Sequence, residues 1–148
     1  MSIINEEGHI LHDRIGNHSS ARTEDQYKKK FTSVAFYDDK IILVDNLHKE
    51  VLVHLYPSDR QVYPPIKEIQ KKNLIGQKLT PINFQGLYGV AITLREGKPV
   101  ICITDNNNIH MFTLKEGKFI KTITDTDTKS IFISIAFDSQ NNIVVSSQ

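Results

Sequence analysis

The chain has 148 residues, enough for one domain, and its 18 Lys and Arg residues nearly balance 17 Asp and Glu residues. A net charge of +1 excludes the global electrostatic attraction that draws strongly basic proteins to nucleic acids or membranes. The single cysteine, Cys102, excludes an intrachain disulfide and lies in an apolar run, where we expect it to be buried. No apolar run approaches the ~18 residues of a membrane span. The composition therefore predicts a soluble, cytoplasmic protein with no membrane partner.

Short apolar runs rich in Val, Ile and Phe alternate with Asp, Asn, Gly and Ser, a pattern that predicts β-strands joined by tight turns. The runs, in chain order, cover residues 10–11, 34–36, 41–44, 51–55, 90–92, 100–103, 109–112, 119–120, 131–137 and 143–145. Residues 66–72 fit either a helical turn or an irregular outer strand. The gaps between runs are too short for the crossover helices of a parallel sheet, so we expect an all-β, antiparallel protein.

One hexad occurs three times, at residues 31–36, 87–92 and 132–137, with the pattern apolar, any, small, β-branched, Ala, apolar. Its alanines, Ala35, Ala91 and Ala136, are 56 and then 45 residues apart. Blades of β-propellers repeat every ~40–50 residues, and an insertion at residues 63–78 accounts for the longer interval. The repetition predicts a partial β-propeller of about three four-stranded antiparallel blades, with the hexads as innermost strands.

The expected boundaries follow from the repeats. The end of one blade covers residues 1–27, a blade with an insertion covers 28–83, another covers 84–129, and the first half of a further blade covers 130–148. About three blades do not close a ring of the usual 4–8, and each blade buries its faces only against neighbours. We therefore expect a fragment of a longer chain, which the stop within a blade favours, an open arc, or self-association that completes a circle.

Polar residues recur at matching places of the repeats. Asp45 and Asp105, each followed by Asn, stand where the second strand turns into the third, and Ser146 is expected at that place in the last copy. Short acceptors at such positions bond backbone amides of their own turn, so we expect a structural role. His54 and His110 are expected at equivalent positions of the third strands. Residues 106–108, all Asn, are typical of a tight turn with left-handed backbone.

These repeats resemble the NHL-repeat family of β-propellers, in which an apolar-x-Gly-Val-Ala strand is followed by a second strand ending in Asp. Residues 87–92 and 103–112 carry the resemblance most clearly, while the first copy keeps Asp45 but has Lys49 and Glu50 near the place of the family's Arg. Tripartite-motif proteins with such repeats imply a non-enzymatic module that binds a protein partner, with no catalytic residue, metal or cofactor. The related gluconolactonase-like propellers imply an alternative, a remnant of a calcium-dependent lactonase or esterase.

A candidate binding face follows from propeller geometry, because loops leading into innermost strands and loops leaving second strands open on the same side. The candidate residues there are Lys28, Lys29, Lys30, His48, Lys49, Asn106 and Asn107. Some NHL propellers are thought to bind single-stranded RNA on such a face, where lysines neutralise phosphates and aromatic side chains stack on bases. Tyr27, Phe31 and Phe84 would supply the stacking. RNA binding is therefore the alternative to a protein partner.

Overall fold

The computed structural model describes residues 3–12, 30–56, 60–72, 79–126 and 130–148, and within these ranges the chain forms strands and no helix. The prediction of an all-β, antiparallel protein is confirmed. Residues 66–72 contain a strand rather than a helical turn. The strands are β1 (Ile3–Ile4), β2 (Ile10–His12), β3 (Phe31–Tyr37), β4 (Lys40–Asp45), β5 (Glu50–Leu55), β6 (Arg60–Gln61), β7 (Glu68–Lys72), β8 (Leu79–Asn83), β9 (Leu87–Arg95), β10 (Lys98–Asp105), β11 (Asn108–Thr113), β12 (Phe119–Thr124), β13 (Phe132–Phe137) and β14 (Ile143–Ser147).

Three successive sheets are built in the same order along the chain. The first sheet has the order β3-β4-β5-β6, the second has the order β9-β10-β11-β12, and the third is the hairpin β13-β14. Consecutive strands pair with each other in each sheet, which makes the first two sheets up-and-down meanders and leaves the third as a single hairpin. The hairpins β1-β2 and β7-β8 lie before the first sheet and between the first and second in sequence. Over the described residues the arrangement is open and not closed.

The three hexads occupy matching positions, as the sequence predicts. Each is the first strand of its sheet, and the pairs at the alanines are Ala35 with Ile42, Ala91 with Cys102, and Ala136 with Val144. Toward the start of each first strand the register shifts by one residue, at the same place in all three sheets. A bulge of this kind is a specified feature rather than a defect. Its recurrence shows that the three sheets follow one pattern.

The register corrects one alignment made from the sequence. Phe31 pairs with Asp45 and Phe132 pairs with Ser147, so Ser147, and not Ser146, stands at the place of the aspartates. Ser146 pairs with Ser134 and corresponds to Val44 of the first sheet. The apolar run of the second strand therefore ends one residue earlier in the third sheet, which made the aspartate position appear one residue too early in the sequence.

The expected equivalence of the two strand histidines is also wrong. The turn between the second and third strands has four residues in the first sheet, 46–49, and two in the second, 106–107. This difference displaces the third strands by two residues, so His110 corresponds to Leu52 and not to His54. Because side chains alternate with a period of two, the displacement keeps both histidines on the same side of their sheets.

The buried side chains form three clusters, on successive faces of the sheets. The cluster between the first and second sheets contains Ile42, Val44, Val51, Val53, Ile101, Ile103 and Phe112. The cluster between the second and third sheets contains Val100, Cys102, Ile109, Met111, Phe132 and Ile135. On the remaining face of the first sheet lie Ile41, Leu43 and Leu52. Since neighbouring residues of one strand belong to different clusters, β4 and β10 are buried on both faces, which explains their uninterrupted apolar runs.

Neighbouring sheets contact each other through their first strands. The hydroxyl of Thr32 in β3 donates to the carbonyl of Tyr88 in β9 at 2.8 Å, and the amide of Val90 donates to Oγ of Ser33 at 3.2 Å. On the other side of β9, Gly89 lies so close to β13 that a Cβ there would meet the Ile133 carbonyl oxygen at 3.0 Å. The small residue of the hexad thus permits the close approach of one first strand to the next.

Cys102 is fully buried, as predicted, and its burial raises the pKa of the thiol to about 11. It packs as a small apolar side chain between the second and third sheets. Among the described residues there is no helix with the length and apolar character that a membrane crossing requires.

Candidate functional site

The predicted binding residues that the structure describes lie at one end of the first two sheets. Lys28 and Lys29 lie outside the described residues. The first sheet contributes Lys30, just before β3, and His48 and Lys49 in the turn between β4 and β5, while Asn106 and Asn107 form the corresponding turn of the second sheet. We call the surface formed by Lys30, residues 46–49 and residues 106–107 the turn face.

The structure brings Lys30 against the turn of the first sheet, as the sequence predicts. The amide of Asn46 donates to the carbonyl of Lys30 at 2.8 Å. The second sheet repeats this contact, because the amide of Asn106 donates to the carbonyl of Gly86 at 3.0 Å. The segment leading into each first strand is therefore fixed to the turn that leaves the second strand.

Asp45 holds the first of these turns together. Its buried Oδ1 accepts from the amides of Lys30 at 3.2 Å, Leu47 at 3.0 Å and His48 at 3.3 Å, and Oδ2 lies 2.7 Å from Nδ1 of His48. Burial raises the pKa of this carboxyl, but the hydrogen bonds from His48 and from the amides outweigh that effect, so the pKa lies below its ordinary value. Asp45 is thus an ionised cap, which confirms the expected structural role.

Asp105 is the corresponding buried acceptor in the second sheet, but it binds different amides. Its Oδ1 accepts from the amides of Gln85 at 3.0 Å and Gly86 at 2.7 Å, and Oδ2 lies 3.1 Å from Nε2 of His110. The expected bonds to its own turn are replaced by bonds to the segment before β9. Burial again raises the pKa, while the hydrogen bonds from His110 and the two amides bring it below its ordinary value.

His110 and Phe84 are interior residues. Nδ1 of His110 lies 2.8 Å from the hydroxyl of Thr122, and the imidazole stacks on Phe84 with a centroid separation of 5.7 Å. Phe84 is only 3% exposed and also packs edge-on against Phe112. The expectation that Phe84 is available to stack on a nucleobase is therefore wrong, because the space above its ring is filled by protein.

One group of metal-binding residue types occurs among the described residues, formed by Asp45, His48 and Glu50, whose ligand atoms lie within 4.8 Å of one another. Carboxylate and imidazole together suit zinc and similar ions. However, the oxygens of Asp45 already accept backbone amides and His48. In the second sheet Asp105 also caps backbone amides, although Asn108 stands there at the place of Glu50. We therefore assign the cluster a role in holding the turn.

The turn of the first sheet presents an apolar side chain that sequence reasoning missed. Leu47 is 52% exposed and lies between Asn46 and His48, whose positions are fixed by Lys30 and Asp45. Lys49 closes the turn with a φ of 53°, and its Nζ donates to Oδ1 of Asn46 at 2.5 Å. The only signal in the sequence is the extra length of this turn. Asn106 has the same φ of 53°, so the left-handed backbone expected for the Asn run occurs at its first residue.

A groove of about 370 Å³ lies between the insertion and the turn that follows β11. Its lining includes Tyr63, Pro64, Pro65, Lys67, Glu116 and Gly117. The insertion is held in place by Val51 and Ile66, which exchange two backbone hydrogen bonds of 2.8 and 3.0 Å. The sequence left a helical turn and an irregular outer strand open for residues 66–72, because a single bridge leaves no periodic pattern.

Comparisons with known proteins identify no family for this chain. No protein-family model and no curated protein matches it. Among solved structures, the chain is similar to the computationally designed Ika4 protein, with 8% sequence identity and a TM-score of 0.34 over 81% of this chain and 92% of that chain. A likeness at that score shows neither a family nor a function for this chain.

Proposed function

We propose that the chain is a non-enzymatic protein-interaction module, a partial propeller of NHL-repeat type that binds its partner through the turn face. The observation that carries the proposal is Leu47, an exposed apolar side chain held on a turn whose backbone is fixed by Asp45. A preorganised turn loses little conformational entropy on binding, which favours affinity. The recurring register and the contacts between first strands support the propeller form.

The chemistry of the turn face indicates the kind of partner. Leu47 offers apolar area, and the backbone places two cationic residues, Lys30 and Lys49, at the same turn. The carboxylate of Asp45 is buried beneath the turn and paired with His48. The proposed ligand is therefore a peptide segment with one apolar side chain flanked by carboxylates, in which burial of the apolar group supplies affinity and the charges set orientation.

Replacing Leu47 with serine is expected to weaken binding of a peptide ligand at least tenfold, because an anchor buried at the centre of an interface commonly contributes about 2 kcal/mol. Peptides selected from a random library against the unmodified chain serve as probes, and fluorescence anisotropy gives their Kd. The matched control is Leu94→Ser. Leu94 is also 52% exposed but lies beside the hairpin at the other end of β9, so its replacement leaves Kd unchanged.

Equal effects of the two serine variants would contradict the proposal, because they would place the ligand away from the turn face. Binding of a short uridine-only RNA that falls steeply with salt, and that Lys30→Glu and Lys49→Glu abolish while Leu47→Ser does not, would support the RNA alternative instead. A melting temperature raised by millimolar calcium would favour the lactonase remnant.

A further inference from the structure

The groove beside the insertion has two walls, one from each of the first two sheets. The wall on the first sheet is formed by residues 63–68 of the insertion together with Val53 of β5. The wall on the second sheet is the turn that follows β11, through Leu114, Glu116 and Gly117. We call this space the insertion groove. Its volume of about 370 Å³ lies within the ~300–1,000 Å³ that is usual for ligand-binding clefts.

Backbone contacts hold both walls of the insertion groove in place. The bridge between Val51 and Ile66 fixes the insertion to β5. In the turn after β11, the amide of Gly117 donates to the carbonyl of Thr113 at 3.0 Å. The two walls meet where Gly117 lies against Ile66, since a Cβ on this glycine would lie 3.3 Å from Cγ1 of Ile66. The groove is therefore preformed, and a ligand that enters it causes little reorganisation.

The lining of the insertion groove combines apolar rings with carboxylates. Tyr63, Pro64 and Pro65 contribute the rings, and Glu68 and Glu116 contribute the carboxylates. Ring surface suits the aliphatic stem of a long side chain, and paired carboxylates suit a cation at its end.

The described residues of the lining include one cation, Lys67, which lies near a carboxylate outside the groove. Its Nζ is 3.7 Å from Oε2 of Glu50, a buried side chain. Nε2 of Gln70 donates to Oε1 of Glu68, which positions that carboxylate without changing its charge. Glu116 is exposed, and no ion pair joins it to a cation within the described part of the chain. The groove thus presents an excess of negative charge.

We propose that the insertion groove binds an arginine side chain of a partner protein. The stem of the arginine packs on the apolar lining, the planar guanidinium packs against the rings, and its N–H groups donate to Glu68 and Glu116. Charge complementarity selects a cation, and the ring surface favours guanidinium over the more strongly hydrated ammonium of lysine. This site is separate from the turn face, whose residues Lys30 and Lys49 repel the same ligand, so it goes beyond the proposed function and does not depend on it.

The test is a titration of the isotope-labelled chain with the blocked peptide Gly-Ala-Arg-Ala-Gly, followed by the chemical shifts of the backbone amides. We expect saturable shifts at Gly117 and Ile66 and none at Leu47. The same peptide with citrulline, a neutral analogue of arginine, should bind roughly tenfold more weakly, because it lacks the charge that strengthens hydrogen bonds to carboxylates. The lysine peptide should also bind more weakly than the arginine peptide.

Substitutions in the lining identify the groups that bind the peptide. Glu116→Lys is expected to abolish binding, because it places a cation at an exposed position of the groove. Glu116→Gln and Glu68→Gln should each raise Kd by about two- to fivefold, the effect of losing one partly exposed ion pair. The matched control is Glu96→Gln, at an exposed glutamate in the turn between β9 and β10, which leaves Kd unchanged. Leu47→Ser should also leave Kd unchanged, which separates this site from the turn face.

Equal Kd values for the arginine and citrulline peptides would overturn the proposal, because charge complementarity is its basis. Shifts at the turn face instead of at Gly117, or an unchanged Kd in Glu116→Lys, would overturn it as well. A lysine peptide that binds as tightly as the arginine peptide would contradict the choice of guanidinium. If Glu116→Lys melts at a lower temperature than the unmodified chain, Glu116→Gln decides the outcome, since it removes one charge and keeps the shape of the side chain.

Discussion

Replacing Gly89 with valine is expected to reduce the free energy of unfolding by about 3 kcal/mol, the upper end of the cost of overpacking. A Cβ at this position would lie 3.0 Å from the carbonyl oxygen of Ile133 and 3.2 Å from Cα of Ser134. Both are backbone atoms of β13, so a side chain that rotates away does not relieve the contact. The valine must push the third sheet off the second, which exposes the cluster around Ile135.

The matched control is Ser134→Val, which introduces the same residue at the same hexad position of the third sheet. Ser134 is exposed, so this change should alter the stability by no more than about 0.5 kcal/mol. Urea unfolding followed by circular dichroism measures both variants. Equal stabilities of the two variants would contradict the close contact between β9 and β13.

Replacing Asp105 with alanine is expected to cost about 2–4 kcal/mol, because it leaves the amides of Gln85 and Gly86 and Nε2 of His110 without their acceptor in a buried place. Asp105→Asn is the matched control, since one amide oxygen remains for Gln85 and Gly86, and we expect it to lose about half as much. Urea unfolding at neutral pH compares the two. Equal losses would show that the acceptor for the amides of Gln85 and Gly86 is not what Asp105 contributes to stability.

The same carboxyl makes stability depend on pH. Because the pKa of Asp105 is lower in the folded chain than its ordinary value of about 3.9, ionisation favours the folded state above that value, and this contribution is lost as the pH falls through the lower, folded pKa. Asp45 contributes in the same direction. Stability measured from neutral pH down to about pH 3 should therefore fall less steeply in Asp105→Asn than in the unmodified chain.

The repeat could be predicted from the sequence because each copy is defined by residues that are consecutive in the chain. The hexad combines a period of two with a small residue and an alanine, and this pattern predicts the first strand of a sheet at each of its three occurrences. Ala35, Ala91 and Ala136 consequently fall in one register. The capping role of Asp45 was also visible, because its partners Leu47 and His48 follow it directly in the chain.

What the sequence did not reveal depends on distances between parts of the chain. The amides bound by Asp105 belong to residues 85 and 86, some 20 positions earlier, and nothing local marks them. His54 does not occupy the expected position in its strand because the turn at residues 46–49 is longer than the corresponding turn of the second sheet. The pattern of apolar residues in the sequence does not give the length of a turn. Leu47 was missed for a related reason. A leucine next to a strand is expected to be part of the core, and only the structure of the turn shows that this side chain is exposed.

The claim that one sheet pattern is repeated and joined through its first strands can be tested most directly by nuclear Overhauser effects between those strands. We expect cross-peaks between the amide proton of Val90 and the β protons of Ser33, and between the α protons of Gly89 and the α proton of Ser134. The cross-peak between Ala35 and Ile42, which pair within the first sheet, serves as the internal standard. A spectrum that shows the standard but neither contact between sheets would contradict the account.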